Sequence, residues 1–205
     1  MTADTPTGIL GLVLAGGRSQ RFGRDKSLAL LDGATLIEHV CRRASAQVEA
    51  LVVSGGVGSC LNIQTVSDEI PGQGPLSGVL AGLTNAAQRG HERLATFACD
   101  GPFFPDDLVK RLGDALRKTR ADISVARHGD DIHPTFALYD VRCRVALSDA
   151  FSRGLRSLRG IGDCLAVSFV DFPHTGFAPG GDPFFNVNTP ADLAAAEAWL
   201  ARRKS

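Results

Sequence analysis

Residues 9–26 read ILGLVLAGGRSQRFGRDK. The first six, Ile9 to Leu14, are apolar without alternation, the pattern of a strand buried on both faces of a sheet. The run stops at Ala15-Gly16-Gly17, where two glycines let backbone N–H groups approach an anion. Arg18, Arg21, Arg24 and Lys26 then place four cations within nine residues, opposed only by Asp25. A concave nest of backbone donors ringed by cations suits a polyphosphate. The spacing matches neither of two better-known phosphate loops. A Walker loop needs Gly directly before its Lys, where Asp25 stands, and the dinucleotide fingerprint needs G-x-G-x-x-G, whereas these glycines fall at 16, 17 and 23.

Outward from this stretch, strands and helices alternate. Leu36, Ile37, Val40, Cys41, Ala44 and Val48 recur at helical spacing, and Leu51-Val52-Val53 reads as the next strand. A weaker strand is expected around Ile63 to Val66, then a Pro/Gly loop (Pro71, Gly72, Gly74, Pro75) and a helix from about Leu76 to Gln88. Leu94 to Ala98 repeats the buried-strand pattern and ends at Cys99-Asp100-Gly101-Pro102. Asp106 and Asp107 open a helix to about Lys118, with acids at its positive end and cations at its negative end. Ile123 to Ala126 and Thr135 to Tyr139 flank Gly129-Asp130-Asp131 and predict a hairpin or close pair of strands. A helix over about Val141 to Ser152 and a strand over Ala166 to Phe172 follow. Thr189-Pro190-Ala191-Asp192 combines an N-cap, Pro at the first helical position and an acid, opening a last helix to about Arg202. This order predicts a three-layer α/β/α sandwich, Rossmann-like, around a mostly parallel sheet. No linker or repeat divides it, so one domain is expected over residues 1–205, with residues 1–8 flexible.

Composition narrows the function. At 205 residues and 44% hydrophobic content the chain can bury a core without staples. The 22 basic and 22 acidic side chains cancel, which argues against a nucleic acid polymer as partner. No apolar run approaches the length of a membrane span and no export signal is read at the start, so the expectation is a cytoplasmic protein, with a monomer as its expected state. The cysteines at 41, 60, 99, 143 and 164 show no zinc spacing and read as reduced thiols. No H-E-x-x-H and no Ser/His/Asp order supports zinc or hydrolytic chemistry.

Candidate ligand residues fall at strand ends, where open α/β sheets collect their ligands. Asp100 follows a buried strand and can hold Mg2+, a hard cation usually shared with substrate phosphates, or it can stabilise a turn. Asn186 and Asn188 alternate and would share a face if extended, although an Asn before a helix is also a common cap. Asp68 follows another strand and could contact a ribose or base. His133 is a turn residue or lines a pocket. Arg153, Arg156 and Arg159 form either a second anion site or an exposed face.

Taken together, these segments resemble the nucleotidyltransferases, and specifically the molybdenum cofactor guanylyltransferases. Leu14 to Lys26 resembles the signature LAGG-x-S-x-R-M-G-x-D-K, Gly74 to Gly78 the GPL-x-G, Cys99 to Pro102 the C-D-x-P, His133-Pro134-Thr135 the HP-x, and Asn186 to Pro190 the NVNTP. The likeness runs from about Ile9 to Leu200. It implies transfer of GMP from GTP to the terminal phosphate of molybdopterin, with Mg2+ required and pyrophosphate released. It also implies that Leu14, Ala15, Gly16 and Gly17 contact the nucleotide, Lys26 its phosphates, Ser54 and Asp68 its base or ribose side, and Asp100 the metal. Lys26 with Arg21 would stabilise the leaving pyrophosphate. Asn186 and Asn188 would lie near the second substrate or the metal, and His133 and Arg156 toward the second substrate. Phe22 replaces the usual Met, Ser54 stands where Asn is common, and Gly101 where Thr is frequent. The competing readings are a molybdopterin cytidylyltransferase, a sugar-phosphate nucleotidyltransferase, and a non-catalytic nucleotide-binding partner of molybdoenzymes or other cofactor-pathway proteins.

Overall fold

The computed structural model describes residues 8–15, 26–55, 62–67 and 74–204. Gly16, Gly17, Arg18, Arg21, Arg24, Cys60 and Asp68 lie outside the described residues, and Lys26 enters only through its backbone.

In chain order the elements are β1 (Ile9–Leu14), a 3-10 turn (Lys26–Leu28), β2 (Leu30–Leu31), β3 (Ala34–Thr35), α1 (Leu36–Ser45), β4 (Ala50–Ser54), β5 (Thr65–Val66) and α2 (Pro75–Gln88). There follow β6 (Arg93–Ala98), α3 (Leu108–Thr119), β7 (Ile123–His128), β8 (Asp131–Asp140), α4 (Arg144–Ser152), β9 (Val167–Asp171) and α5 (Pro190–Lys204). Seven strands form one sheet in the order β5-β4-β1-β6-β8-β7-β9. All its pairings are parallel except the two made by β8.

The unalternating apolar run of β1 has the predicted cause. Every one of its residues is buried, and successive side chains enter two different cores because strand side chains alternate in direction. Ile9 and Val13 pack with α1 and α3 on one face. Leu10, Leu12 and Leu14 pack with α2 and α4 on the other. The three layers follow. Helix α2 lies close on the sheet because Gly82 has no side chain: a β-carbon there would fall 2.7 Å from Leu12 Cδ1's sister methyl, Cδ2.

Three local features differ from the sequence expectation or were absent from it. The weak strand shortens to Thr65–Val66. The predicted hairpin exists, but its strands are longer and carry a register shift between Val125 and Ala126. Its second strand inserts between β6 and β7 and runs against both. Finally, β2 and β3 form an unpredicted two-stranded sheet, turned at Asp32 (φ 51°) and Gly33 (φ 81°), the Asp-Gly pair that favours such turns.

A third, smaller core lies under α5, where Ala196 packs with Ala29, Leu31, Leu36, Phe103 and Val187. The predicted cap of α5 forms: Thr189 Oγ1 accepts from the Asp192 N–H at 3.2 Å, and Asp192 Oδ2 accepts from the N–H groups of Thr189 and Asn188. Among the described residues Cys41, Cys99, Cys143 and Cys164 form no disulfide. Among the described residues no helix is long and apolar enough to cross a membrane.

Candidate active site

Register places the strand ends level. Leu14 stands opposite Ser54 on β4 and Ala98 on β6, and Ser54 opposite Val66 on β5. The segments leaving β1, β4, β5 and β6 therefore emerge along one carboxyl edge. Strand order reverses at β1, which has β4 and β5 on one side and β6 on the other; such a reversal is where doubly wound sheets open a crevice for ligands.

The exit of β1 is clamped from both neighbours. The Ser54 hydroxyl, on a residue only 3% exposed, accepts from the Ala15 N–H at 3.3 Å. The Leu14 carbonyl accepts from the Cys99 N–H, also at 3.3 Å. Both bonds hold the backbone at Leu14 and Ala15, the last described residues of this segment.

Asp100 sits two residues beyond β6, and its carbonyl accepts from the Val187 N–H at 2.8 Å. That bond joins two motifs separated by more than eighty residues in sequence. The neighbouring Asn186 amide reaches back over Gly101: a β-carbon at 101 would meet Asn186 Oδ1 at 2.8 Å and Phe136 Cζ at 2.7 Å. Gly101, the departure from the frequent Thr, is therefore matched to a bulky Phe136 and an inward Asn186. Asn186 Oδ1 is buried and has no hydrogen-bond partner among the described residues, an unusual state for a buried carbonyl oxygen.

His133 lies on β8 near the same edge, and its ring stands 4.5 Å from that of Phe184, which is 5.1 Å from Phe136. Its Nε2 is the second buried polar atom at this edge without a partner among the described residues. Burial pushes the His133 pKa down, against the opposite pull of Asp182 and Asp131. Phe136 and Phe184 thus form a wall on which Asn186 and His133 are mounted. Arg156 is placed elsewhere on the edge. Its guanidinium lies 4.2 Å from the Phe151 ring centroid and donates to the Leu155 carbonyl at 2.9 Å. Its own carbonyl oxygen would be 3.2 Å from a β-carbon on Gly74, which begins α2 with φ 85°. Asn188 is exposed and gives its backbone N–H to the cap of α5.

Among the described residues no group of three or more His, Cys, Asp or Glu side chains gathers to hold a metal. Mg2+ does not need one, because it is commonly held by one or two carboxylates and completed by substrate phosphates and water. The Asp100 carboxylate and the unsatisfied Asn186 oxygen are hard donors of the right kind. Sequence reading missed Phe136 and Phe184 as part of this edge, since their periodicity marks them only as core.

The seven-stranded, mostly parallel sheet with the Asp100 turn at its carboxyl edge is the frame of a nucleotidyltransferase domain. The chain belongs to the MobA-like NTP transferase domain family, whose model matches residues 11–166. It is 40% identical over 198 residues to the molybdenum cofactor guanylyltransferase of Rhizobium leguminosarum bv. trifolii, covering 94% of this chain and 93% of that protein. A protein of the same name from Bradyrhizobium sp. is 38% identical over 210 residues, with 98% and 97% covered. Among solved structures, molybdopterin-guanine dinucleotide biosynthesis protein A from Archaeoglobus fulgidus superposes with a TM-score of 0.75 at 26% identity, covering 94% of this chain and 99% of that one.

Proposed function

We propose that this protein transfers GMP from GTP to the terminal phosphate of molybdopterin, forming molybdopterin guanine dinucleotide and releasing pyrophosphate. The observation that carries the reading is the hydrogen bond from the Val187 N–H to the Asp100 main-chain carbonyl, which brings the NVNTP segment to the turn after β6, the strand paired with β1. The names of the similar proteins support the same chemistry.

A phosphomonoester is already ionised at neutral pH, so the acceptor needs alignment behind the α-phosphorus more than it needs a strong base. Leu14, Ala15, Gly16 and Gly17 would cradle the nucleotide through backbone groups, and Ser54 would fix that cradle through its bond to the Ala15 N–H. Asp68 is assigned to the ribose or base. Asp100 would hold Mg2+, which when bound neutralises phosphate oxygens. Lys26 and Arg21 would stabilise the negative charge that grows on the departing pyrophosphate. His133, Arg156, Asn186 and Asn188 are assigned to the second substrate. The protein works as one domain and a cytoplasmic monomer, touching molybdoenzymes or other cofactor-pathway proteins only transiently.

The test is pyrophosphate release from GTP, Mg2+ and molybdopterin. Asp100→Ala is expected to abolish it and Lys26→Ala to reduce it severely. Near-normal turnover in both variants would sink the site. Preference for CTP, or for a sugar 1-phosphate as acceptor, would reassign the substrate, and nucleotide binding without release would leave a binding protein.

A further inference from the structure

The chain between Asp100 and α3 reads Gly101-Pro102-Phe103-Phe104-Pro105-Asp106-Asp107. It has no regular structure of its own to fix it, and Asp107 makes no side-chain cap on α3. The support comes from α1 and the turn after it. Gln47 is 5% exposed and uses both ends of its amide: Nε2 donates to the Pro105 carbonyl at 3.0 Å, and Oε1 accepts from the Val109 N–H at 3.0 Å. The Val109 N–H belongs to the first turn of α3, where donors lack partners within the helix. One turn earlier, Arg43 Nε donates to the Phe104 carbonyl, and its NH2 pairs with Asp106 at 3.1 Å. Burial lowers the Arg43 pKa, and Asp106 opposes that shift.

The far end of α1 reaches the other phosphate-handling segment. The Leu36 N–H donates to the Ala29 carbonyl at 2.9 Å, one residue beyond the turn that begins at Lys26. Helix α1 is therefore a short rod with the Lys26 turn at one end and the Asp100 loop at the other. Phe103 and Phe104 lock the loop further by entering two different cores. A glutamine that satisfies two buried backbone groups has no equally good substitute, because Met fills the same volume without either bond and leaves both groups unpaired.

We propose that Gln47, assisted by Arg43, is a positioning residue that sets the Asp100 carboxylate relative to the Lys26 turn. Gln47 touches neither substrate. It acts by holding the Pro105 carbonyl and the start of α3, so that the loop carrying Asp100 keeps one position along the carboxyl edge. This inference rests on the assignment of Asp100 as the metal-holding carboxylate.

The experiment compares Gln47→Met and Gln47→Glu with wild type, well below their unfolding temperatures. Mn2+ binding is followed by its paramagnetic resonance signal in the presence of a GTP analogue that cannot react, and pyrophosphate release is measured as Mg2+ is varied. Gln47→Met is expected to lower kcat by about ten- to a hundredfold, the usual effect of misplacing a reacting group by about 1 Å. It should also weaken Mn2+ binding several-fold, while KM for GTP at saturating Mg2+ stays within about twofold. Gln47→Glu keeps the acceptor for Val109 but loses the donor to Pro105, and should fall between. Arg43→Lys, which keeps the charge opposite Asp106 and loses the Nε bond, should show the same pattern more weakly. A Gln47→Met protein that unfolds at lower temperature but binds Mn2+ and responds to Mg2+ like wild type would overturn the proposal. If wild type itself binds no divalent ion through Asp100, shown by equal Mn2+ binding in Asp100→Ala, the assignment of Asp100 fails and this inference fails with it.

Discussion

Replacing Gly101 with alanine would test whether the strand-end turn and the Asn186 amide behave as one unit. The added β-carbon would lie 2.7 Å from Phe136 Cζ and 2.8 Å from Asn186 Oδ1, well inside the separation of about 3.5–4.0 Å at which carbon atoms attract. Phe136 cannot yield cheaply, since it is fully buried and its ring stands 5.6 Å from Phe104 and 5.1 Å from Phe184. The Asn186 amide is the softer neighbour and should be displaced. Overpacking a filled core costs about 1–3 kcal/mol. Gly101 is not among the positive-φ residues, so the reduced freedom of the unfolded chain offsets about 0.4–1 kcal/mol of that cost. The net loss is up to about 2.6 kcal/mol, which at this chain length lowers Tm by up to about 10 °C. Moving Asn186 should reduce kcat by about ten- to a hundredfold. Urea denaturation and pyrophosphate release are the two assays. Phe136→Leu removes one of the two clashes, so a double-mutant cycle should give a coupling of about 1 kcal/mol. Wild-type stability and wild-type kcat in Gly101→Ala would refute the interlock.

Two further outcomes follow from the titrating groups. Burial depresses the His133 pKa, so the unfolded chain takes up the proton first. Stability from this group is complete above the ordinary value of about 6.5 and declines as pH falls toward the folded pKa. His133→Asn should flatten that part of the denaturation profile, and an unchanged slope would contradict a buried neutral ring. Burial also pushes the thiols of Cys41 and Cys143 up, to about 11 and about 12. Neither should react with a thiol reagent at pH 8 until denaturant is added, as read by mass spectrometry of labelled peptides; stoichiometric native labelling at either would contradict their burial.

The order of strands and helices was legible in the chain because it depends on local periods. ILGLVL has the pattern of a strand covered on both sides, and Leu36-Ile37-Val40-Cys41-Ala44 that of a helix with one apolar face. The cap at Thr189 and Asp192 is equally local, and it formed as read. The ends of the strands after Leu14 and Ala98 could be read for the same reason. Their alignment could not, because register is a relation between strands distant in sequence.

What the tertiary structure alone decided is how distant pieces meet. Nothing within residues 131–140 says that β8 will run between β6 and β7, since the alternation of a strand is the same whichever neighbours it takes. Gly101 read by itself is only a small residue in a turn; packed against Phe136 and Asn186 it becomes the gap that lets an amide oxygen point inward. Gln47 read by itself is a polar residue past the end of a helix, and only folding reveals that both ends of its amide are occupied by the loop behind Asp100. By itself the sequence indicated most of the main elements and the family, because those depend on short-range pattern. The meeting of the Asp100 turn with the Val187 segment was left to packing between segments, which acts only once the chain has closed on itself.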